Sequence, residues 1–254
     1  MSPSFDVVRA ELESAVAGAG HGNAAADQLC MACVGLFGVD GAAVSVVHRG
    51  VSQGTFGASD DASRRVDEYQ FTYGEGPCLD AVATGRTILV PDLEDPQESR
   101  WPGFARAALG GGIRGVFALP VVVTSVRIGA LDLFRSDPGP LLDEQLVGAL
   151  LAAQMASLVL LQTWAGEDDL DGRLLRDGEE AWGDLAEADR IEVYQATGML
   201  IAQLGVDAGE ALLRMRAHAV ATGQTASEVA WAIIERRLVL DADPRPEGRE
   251  RRRL

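Results

Sequence analysis

The sequence predicts an α+β sandwich, an antiparallel sheet flanked by helices, followed by a separate all-α unit of three helices. Two patterns and the chain length carry this reading. Between residues 41 and 134, short apolar runs come in pairs around tight turn signals, and amphipathic runs stand before, among and after them. Near the C-terminus an N-cap residue is followed three places later by Glu on three occasions: Asp184/Glu187, Asp207/Glu210 and Thr225/Glu228. That spacing is the capping box, in which the cap oxygen takes a backbone N–H and the Glu reaches back to the cap's own N–H. A length of 254 residues has room for one large domain and a small one.

Taken in order, Phe5–Ala17 and Asn23–Phe37 read as amphipathic helices separated by Gly18, Gly20 and Gly22. The period then shortens. Gly41–His48 and Val51–Ala58 form a hairpin around Arg49-Gly50, and Ser59–Tyr69 is a polar helix able to cover one sheet face. Gly74, Gly76 and Pro77 turn into a short helix at Cys78–Ala83, and a strand at Thr87–Val90 follows Gly85. Residues 101–112 suggest a helix ending in a glycine cluster. Val116–Val123 and Val126–Phe134 are strands around Thr124-Ser125, and a long helix closes the first domain at 142–163.

Residues 165–183 are an acidic linker or helical stalk, since 165–184 carries eight acids against Arg173 and Arg176. The three-helix unit, 184–240, reads as helices at 185–204, 208–222 and 226–239, with Gly205 and Gly223 as left-handed stops. Val193, Ala196, Leu200 and Leu204 make one apolar face, Ala208, Ala211, Leu212, Met215 and Ala219 the second, and Val229, Ala230, Ile233 and Leu238 the third. Residues 241–254, rich in Arg and Pro, form a disordered tail.

The formal net charge is −16, and every cationic side chain is Arg, since the chain contains no Lys. An acidic chain repels nucleic acid at long range, so any RNA contact must be local. The N-terminus has no basic n-region and no apolar signal core. The longest apolar run, Leu146–Leu161, is broken by Gln154 and Ser157 and is expected to be too short to span a bilayer. Three cysteines make no disulfide framework, and a cytoplasmic protein without a membrane partner is expected. Cys30 and Cys33 form a C-x-x-C pair, but mid-helix among Leu29, Met31 and Leu36 they read as packing residues. Cys78, at a helix start beside a glycine turn, reads as a small buried residue with attachment or redox chemistry as its alternative. The sequence presents no phosphate loop, no Ser-His-Asp arrangement and no metal-ligand spacing, so neither metal nor cofactor is expected and the chain reads as a non-enzyme.

Two family resemblances sharpen this. "QATGML" (Gln195–Leu200), "EALLRMRAHA" (Glu210–Ala219) and "SEVAWAIIERR" (Ser227–Arg237) make residues 189–238 similar to an ANTAR domain, the RNA-binding module of bacterial antiterminators. One departure is Thr197, where that family often has Lys ahead of the helix-one glycine, here Gly198. "GEGPCLDAVATGR" (Gly74–Arg86), "VPDL" (Val90–Leu93), "RWPGF" (Arg100–Phe104) and "GALDLFR" (Gly129–Arg135) make residues 1–164 resemble a GAF sensor domain. The resemblances imply a GAF sandwich followed by an ANTAR domain, in a signal-responsive, likewise dimeric, antitermination regulator that binds hairpins in nascent RNA.

Candidate RNA contacts on this reading are Arg190, Tyr194, Thr197, Gly198, Arg214, Arg216, Arg236 and Arg237, with Tyr194 and Trp231 as stacking groups. Arg214 or Arg216 is expected to pair with Glu210. In the GAF-like part Tyr73, Cys78, Trp101 and Phe104 are candidate contacts for an unidentified small molecule. The alternative is a docking module that has lost RNA binding. Thr197 and the excess of seven acids over five arginines across residues 185–239 motivate it.

Overall fold

The computed structural model describes residues 4–48, 50–123, 125–165 and 190–240. Two compact units emerge, Met1–Ile191 and Glu192–Leu254. In the first, the order is α1 (Phe5–Gly18), α2 (Asn23–Phe37), β1 (Gly41–His48), β2 (Val51–Ala58), α3 (Asp61–Tyr73) and α4 (Pro77–Thr84). It continues with β3 (Ile88–Val90), α5 (Pro102–Gly110), β4 (Gly115–Val123), β5 (Val126–Arg135) and α6 (Asp143–Ala165). The strands form one five-stranded sheet in the order β2-β1-β5-β4-β3, and every pairing is antiparallel.

Both faces of this sheet are covered, which is why β1, β4 and β5 are nearly continuous apolar runs rather than alternating ones. One face sends Val44, Val46, Phe117, Leu119, Val121, Leu131 and Leu133 into a core completed by α1, α2 and α6. The opposite face carries Ala43, Val116 and Phe134 under α3 and α5, and Val47, Ala118 and Ala130 under α4. Phe37, Phe104, Phe117 and Phe134 are among the largest fully buried side chains. Cys30 and Cys33 lie in the first core at 0% exposure. Burial pushes the Cys33 thiol up to about 12 and Cys30 well above its ordinary range, as packing residues rather than reactive ones.

The predicted polar helix at 59–69 is shifted and extended to Asp61–Tyr73. Asp60 is its N-cap, with Oδ1 accepting from Ser63 N at 2.7 Å, and Gly74 in the left-handed region ends it. The long closing helix is also corrected. It runs 23 residues, and by length and apolar content its stretch Asp143–Thr163 is sufficient to cross a membrane. A side of that helix, with Ala149, Ala152, Ala153, Ala156, Val159 and Leu160, is buried in the first core instead. It is the core helix of an α/β layer.

The second unit holds α7 (Ile191–Leu204), α8 (Ala208–Thr222) and α9 (Ala226–Ile234). Its core is Val193, Ala196, Leu200, Ala211, Met215, Ala219, Val229, Ala230 and Ile233, each at most 2% exposed. Ala208, at the helix start, is exposed, and Leu204, Leu212 and Leu238 are only half-buried. Gly205 (φ 68°) and Gly223 (φ 69°) stop α7 and α8 as the sequence suggests. The cap at Asp184/Glu187 lies outside the described residues. Thr225/Glu228 closes a full capping box, with Thr225 N to Glu228 Oε2 at 2.9 Å and Glu228 N to Thr225 Oγ1 at 3.2 Å. Asp207 closes only half of one. Its Oδ1 takes Glu210 N at 2.8 Å, while the Glu210 side chain turns to Arg214. Helix α9 is shorter than 226–239, because Arg236 takes φ 58° and the N–H groups of Arg237 and Leu238 both donate to Ala232 O.

Candidate functional site

The first unit assembles a polar cluster from four elements, two strands on one sheet face and the helices α3 and α4 that cover it. Ser45 in β1 and Asp132 in β5 point to this face by strand alternation, since Ala43 pairs with Asp132 and Ser45 with Ala130. Asp67 on α3 and Cys78 at the start of α4 close over them, and one ligand atom from each of Asp67, Cys78 and Asp132 lies within 4.8 Å of the others. All three residues are 0% exposed.

Ser45 Oγ donates to Asp67 Oδ1 at 2.6 Å and lies 3.2 Å from Asp132 Oδ2, while Thr55 Oγ1 donates to Asp67 Oδ2 at 2.7 Å. A hydroxyl has one hydrogen. With Ser45 donating to Asp67, the contact to Asp132 is satisfied when Asp132 carries its own proton. Burial, followed by the charge of Asp67, pushes the Asp132 carboxyl up to about 8 and so favours that state at neutral pH. Burial also holds the Cys78 thiol well above its ordinary range, with the charges of Asp132 and Asp67 adding to it. Cys78 is therefore a protonated thiol in this setting, not a free nucleophile.

Gln70, one turn beyond Asp67 on α3, braces the site. Its Oε1 accepts from Cys78 N at 2.8 Å, fixing the first turn of α4. Neither its Nε2 nor Asp132 Oδ1 closes a hydrogen bond of good geometry. Gly76 makes this arrangement possible. Its φ of 150° is left-handed space, and a Cβ there would overlap the Gln70 side chain. Arg190 lies in the same unit at 5% exposure, with Nη2 3.5 Å from Asp67 Oδ2 and the guanidinium 4.1 Å over the Phe71 ring.

The four candidate small-molecule contacts do not converge on this cluster. Cys78 belongs to it, but Trp101 and Phe104 belong to the packing between α5 and the sheet, at 4% and 0% exposure. Trp101 Nε1 donates to Asp80 Oδ2 at 3.2 Å and carries Arg100 stacked 4.1 Å above its ring. Tyr73 is half-buried and packs on Gly103. Glu75, absent from the sequence candidates, caps α5, its Oε1 accepting from Gly103 N at 2.6 Å and Phe104 N at 3.1 Å. Asp67, Gln70 and Asp132 were also missed. A signal did exist: Asp132 is a charged residue inside an apolar strand, and such residues are almost never fully buried without a partner.

In the second unit, Tyr194 is 44% and Trp231 51% exposed. Gly198, one turn from Tyr194, is exposed, and a Cβ there would meet nothing within 4 Å. Arg236 and Arg237 are exposed, the latter with Nε 2.6 Å from Glu235 Oε2. Arg214 Nε donates to Glu210 Oε1 at 2.7 Å, and Arg216 is half-buried. Two candidates do not present their side chains to solvent. Thr197 is 9% exposed with Oγ1 turned back to Val193 O at 2.7 Å, and Arg190 is buried as described above.

Comparison with known proteins fits both units. The GAF domain model matches residues 23–160 and the ANTAR domain model residues 184–234. Solved structures similar to the chain include the GAF domain of a phosphoenolpyruvate-protein phosphotransferase from Coxiella burnetii, at 13% identity. It covers 61% of this chain and 90% of that one with a TM-score of 0.49. The corresponding Acinetobacter GAF domain is 9% identical, with 63% and 94% coverage and a TM-score of 0.49. A type II free methionine-R-sulfoxide reductase from Thermoplasma acidophilum is 16% identical, with 54% and 93% coverage and a TM-score of 0.39. No curated protein matches the sequence. A buried five-stranded sheet between helical layers, matched over more than half of the chain, and the capped three-helix unit that follows it in sequence place this protein among the GAF-domain proteins that carry an ANTAR domain.

Proposed function

We propose that this chain is a cytoplasmic, signal-responsive regulator. Its ANTAR domain binds hairpins in nascent RNA to prevent a terminator from forming, and its GAF domain sets that activity by binding a small molecule or by holding a dimer. Beside the two family matches, the observation that carries the reading is the exposed face of α7, where Tyr194 stands one turn from Gly198. An aromatic ring offers a stacking platform to an unpaired base, and a glycine with open space above it lets a backbone approach closely. Arg236 and Arg237 supply exposed charge at the end of α9. Because the chain is acidic overall, recognition rests on these local contacts rather than on a broad basic field.

Two hairpins on one transcript suit a homodimer, since linking two weak sites raises the effective concentration of the second. An exposed apolar stripe on α6, with Val147, Leu150 and Leu158 at 50%, 43% and 57% exposure, is the surface we assign to that pairing.

The deciding experiment is binding of the full-length protein to a two-hairpin leader RNA across a salt series, with a scrambled RNA as control. Tyr194→Ala is expected to lose about 1–3 kcal/mol of binding, the worth of one stacked base. Arg236→Ala with Arg237→Ala is expected to flatten the salt dependence. Equal affinity for leader and scrambled RNA would sink the RNA reading. The second reading, a protein-docking module, is favoured by a specific feature. Ile191, Leu213 and Val220 stand exposed at 63%, 62% and 45%, while Arg214 and Arg237 are engaged with Glu210 and Glu235.

A further inference from the structure

The geometry points to a divalent transition-metal site in the GAF domain, with Asp67, Cys78 and Asp132 as protein ligands. One donor atom from each lies within 4.8 Å of the others, and all three residues are fully buried. Zinc-class ions sit about 2.0–2.3 Å from carboxylate oxygen and thiolate sulfur, which sets such donors roughly 3–4 Å apart.

Acids near one another do not make a site by themselves, and the polar bookkeeping of this one adds an independent reason. Asp132 Oδ1, in a residue at 0% exposure, has no hydrogen-bond partner, and Gln70 Nε2 beside it has none either. Buried polar atoms are almost always paired, because leaving one unpaired costs its full desolvation. By contrast, both oxygens of Asp67 are held, by Ser45 and Thr55, in the way that outer hydroxyls orient a ligating carboxylate. The cation beside the cluster, Arg190, stacks over Phe71 and pairs with Asp67, its Nη2 donating to Oδ2 at 3.5 Å.

The donor set chooses the class of ion. One thiolate with two carboxylates suits zinc, ferrous iron or cobalt, whereas magnesium and calcium prefer all-oxygen sets. Binding breaks the Cys78 S–H bond and removes the Asp132 proton, both protons leaving to solvent, with no change in oxidation state. Three protein ligands leave a coordination position to an outside molecule, which deepens the proposed sensing role of this domain and depends on that reading only for its purpose.

The test uses full-length protein stripped by chelator and titrated with cobalt(II). The expected result is one ion per chain, with a near-ultraviolet thiolate-to-cobalt charge-transfer band and visible d–d bands. Cys78→Ser should abolish the charge-transfer band, and Ser45→Ala, which leaves all three ligands in place, should weaken affinity about 10–100-fold. Cys30→Ser with Cys33→Ser should change neither. Circular dichroism identifies any variant that fails to fold, and in that case Asp132→Asn replaces it. Absence of the charge-transfer band in the wild type, or its persistence in folded Cys78→Ser, overturns the proposal. RNA binding is read separately, so failure of the metal site and failure of the antiterminator reading are distinguishable.

Discussion

Asp40 illustrates how a single exposed side chain ties two strand ends together. It sits just before β1, and its Oδ2 accepts from both Ser136 N and Ser136 Oγ at 2.6 Å, just past the end of β5. Those hydrogen bonds hold its carboxyl below the usual carboxylate range. A depressed folded-state pKa contributes stability above the unfolded value, and that contribution is lost as pH falls through the folded one. Asp40→Asn is therefore expected to lower the melting temperature at neutral pH and to leave it unchanged well below the ordinary aspartate range. Melting curves of both proteins across that acidic window check this. If the gap persists unchanged at the acid end, the carboxylate is not the source.

At the level of elements, the helices of the second unit are set by their ends. The hydroxyl of Thr225 and the carboxylate of Glu228 satisfy two N–H groups at the start of α9, a helix of nine residues. So short a helix is marginal alone, and each end group counts. Thr225→Ala is expected to cost about 1 kcal/mol of unfolding free energy, and Glu228→Ala less. Urea denaturation followed at a tryptophan reads the difference, and a loss below the noise would mean that packing of Val229, Ala230 and Ile233 holds the helix without its cap. The same logic separates the two predicted boxes. Glu210 lies within reach of Arg214 one turn on, and the ion pair competes with the return bond to Asp207.

For the whole molecule, the surface of α6 is the feature that its own domain does not account for. Its inward side is mostly alanine, which allows close approach to the sheet, while Val147, Leu150 and Leu158 face outward. The pairing proposed for this stripe predicts a dimer by light scattering, and Val147→Glu with Leu158→Glu is expected to yield folded monomers. A monomeric wild type at micromolar concentration would remove the dimer from the functional reading and leave single-hairpin binding as the alternative.

Strand and helix assignments were legible because local chemistry dictates them: Asn23–Phe37, Gly41–His48, Val51–Ala58 and 208–222 coincide with the elements the structure contains. Glycines 205 and 223 ended their helices for the reason visible in the chain, since only glycine takes left-handed φ without cost. The resemblance of both domains was equally readable, because their motifs are contiguous runs. The buried cluster was not. Ser45, Asp67, Cys78 and Asp132 come from four separate elements, and only the register of β1 against β5 and the docking of α3 and α4 bring them together. Spacing along a chain carries no information about such a meeting. The fate of Thr197 and Arg190 was hidden for the same reason. A helix presents all its faces to a reader of the sequence, and packing alone decides which of them water can reach.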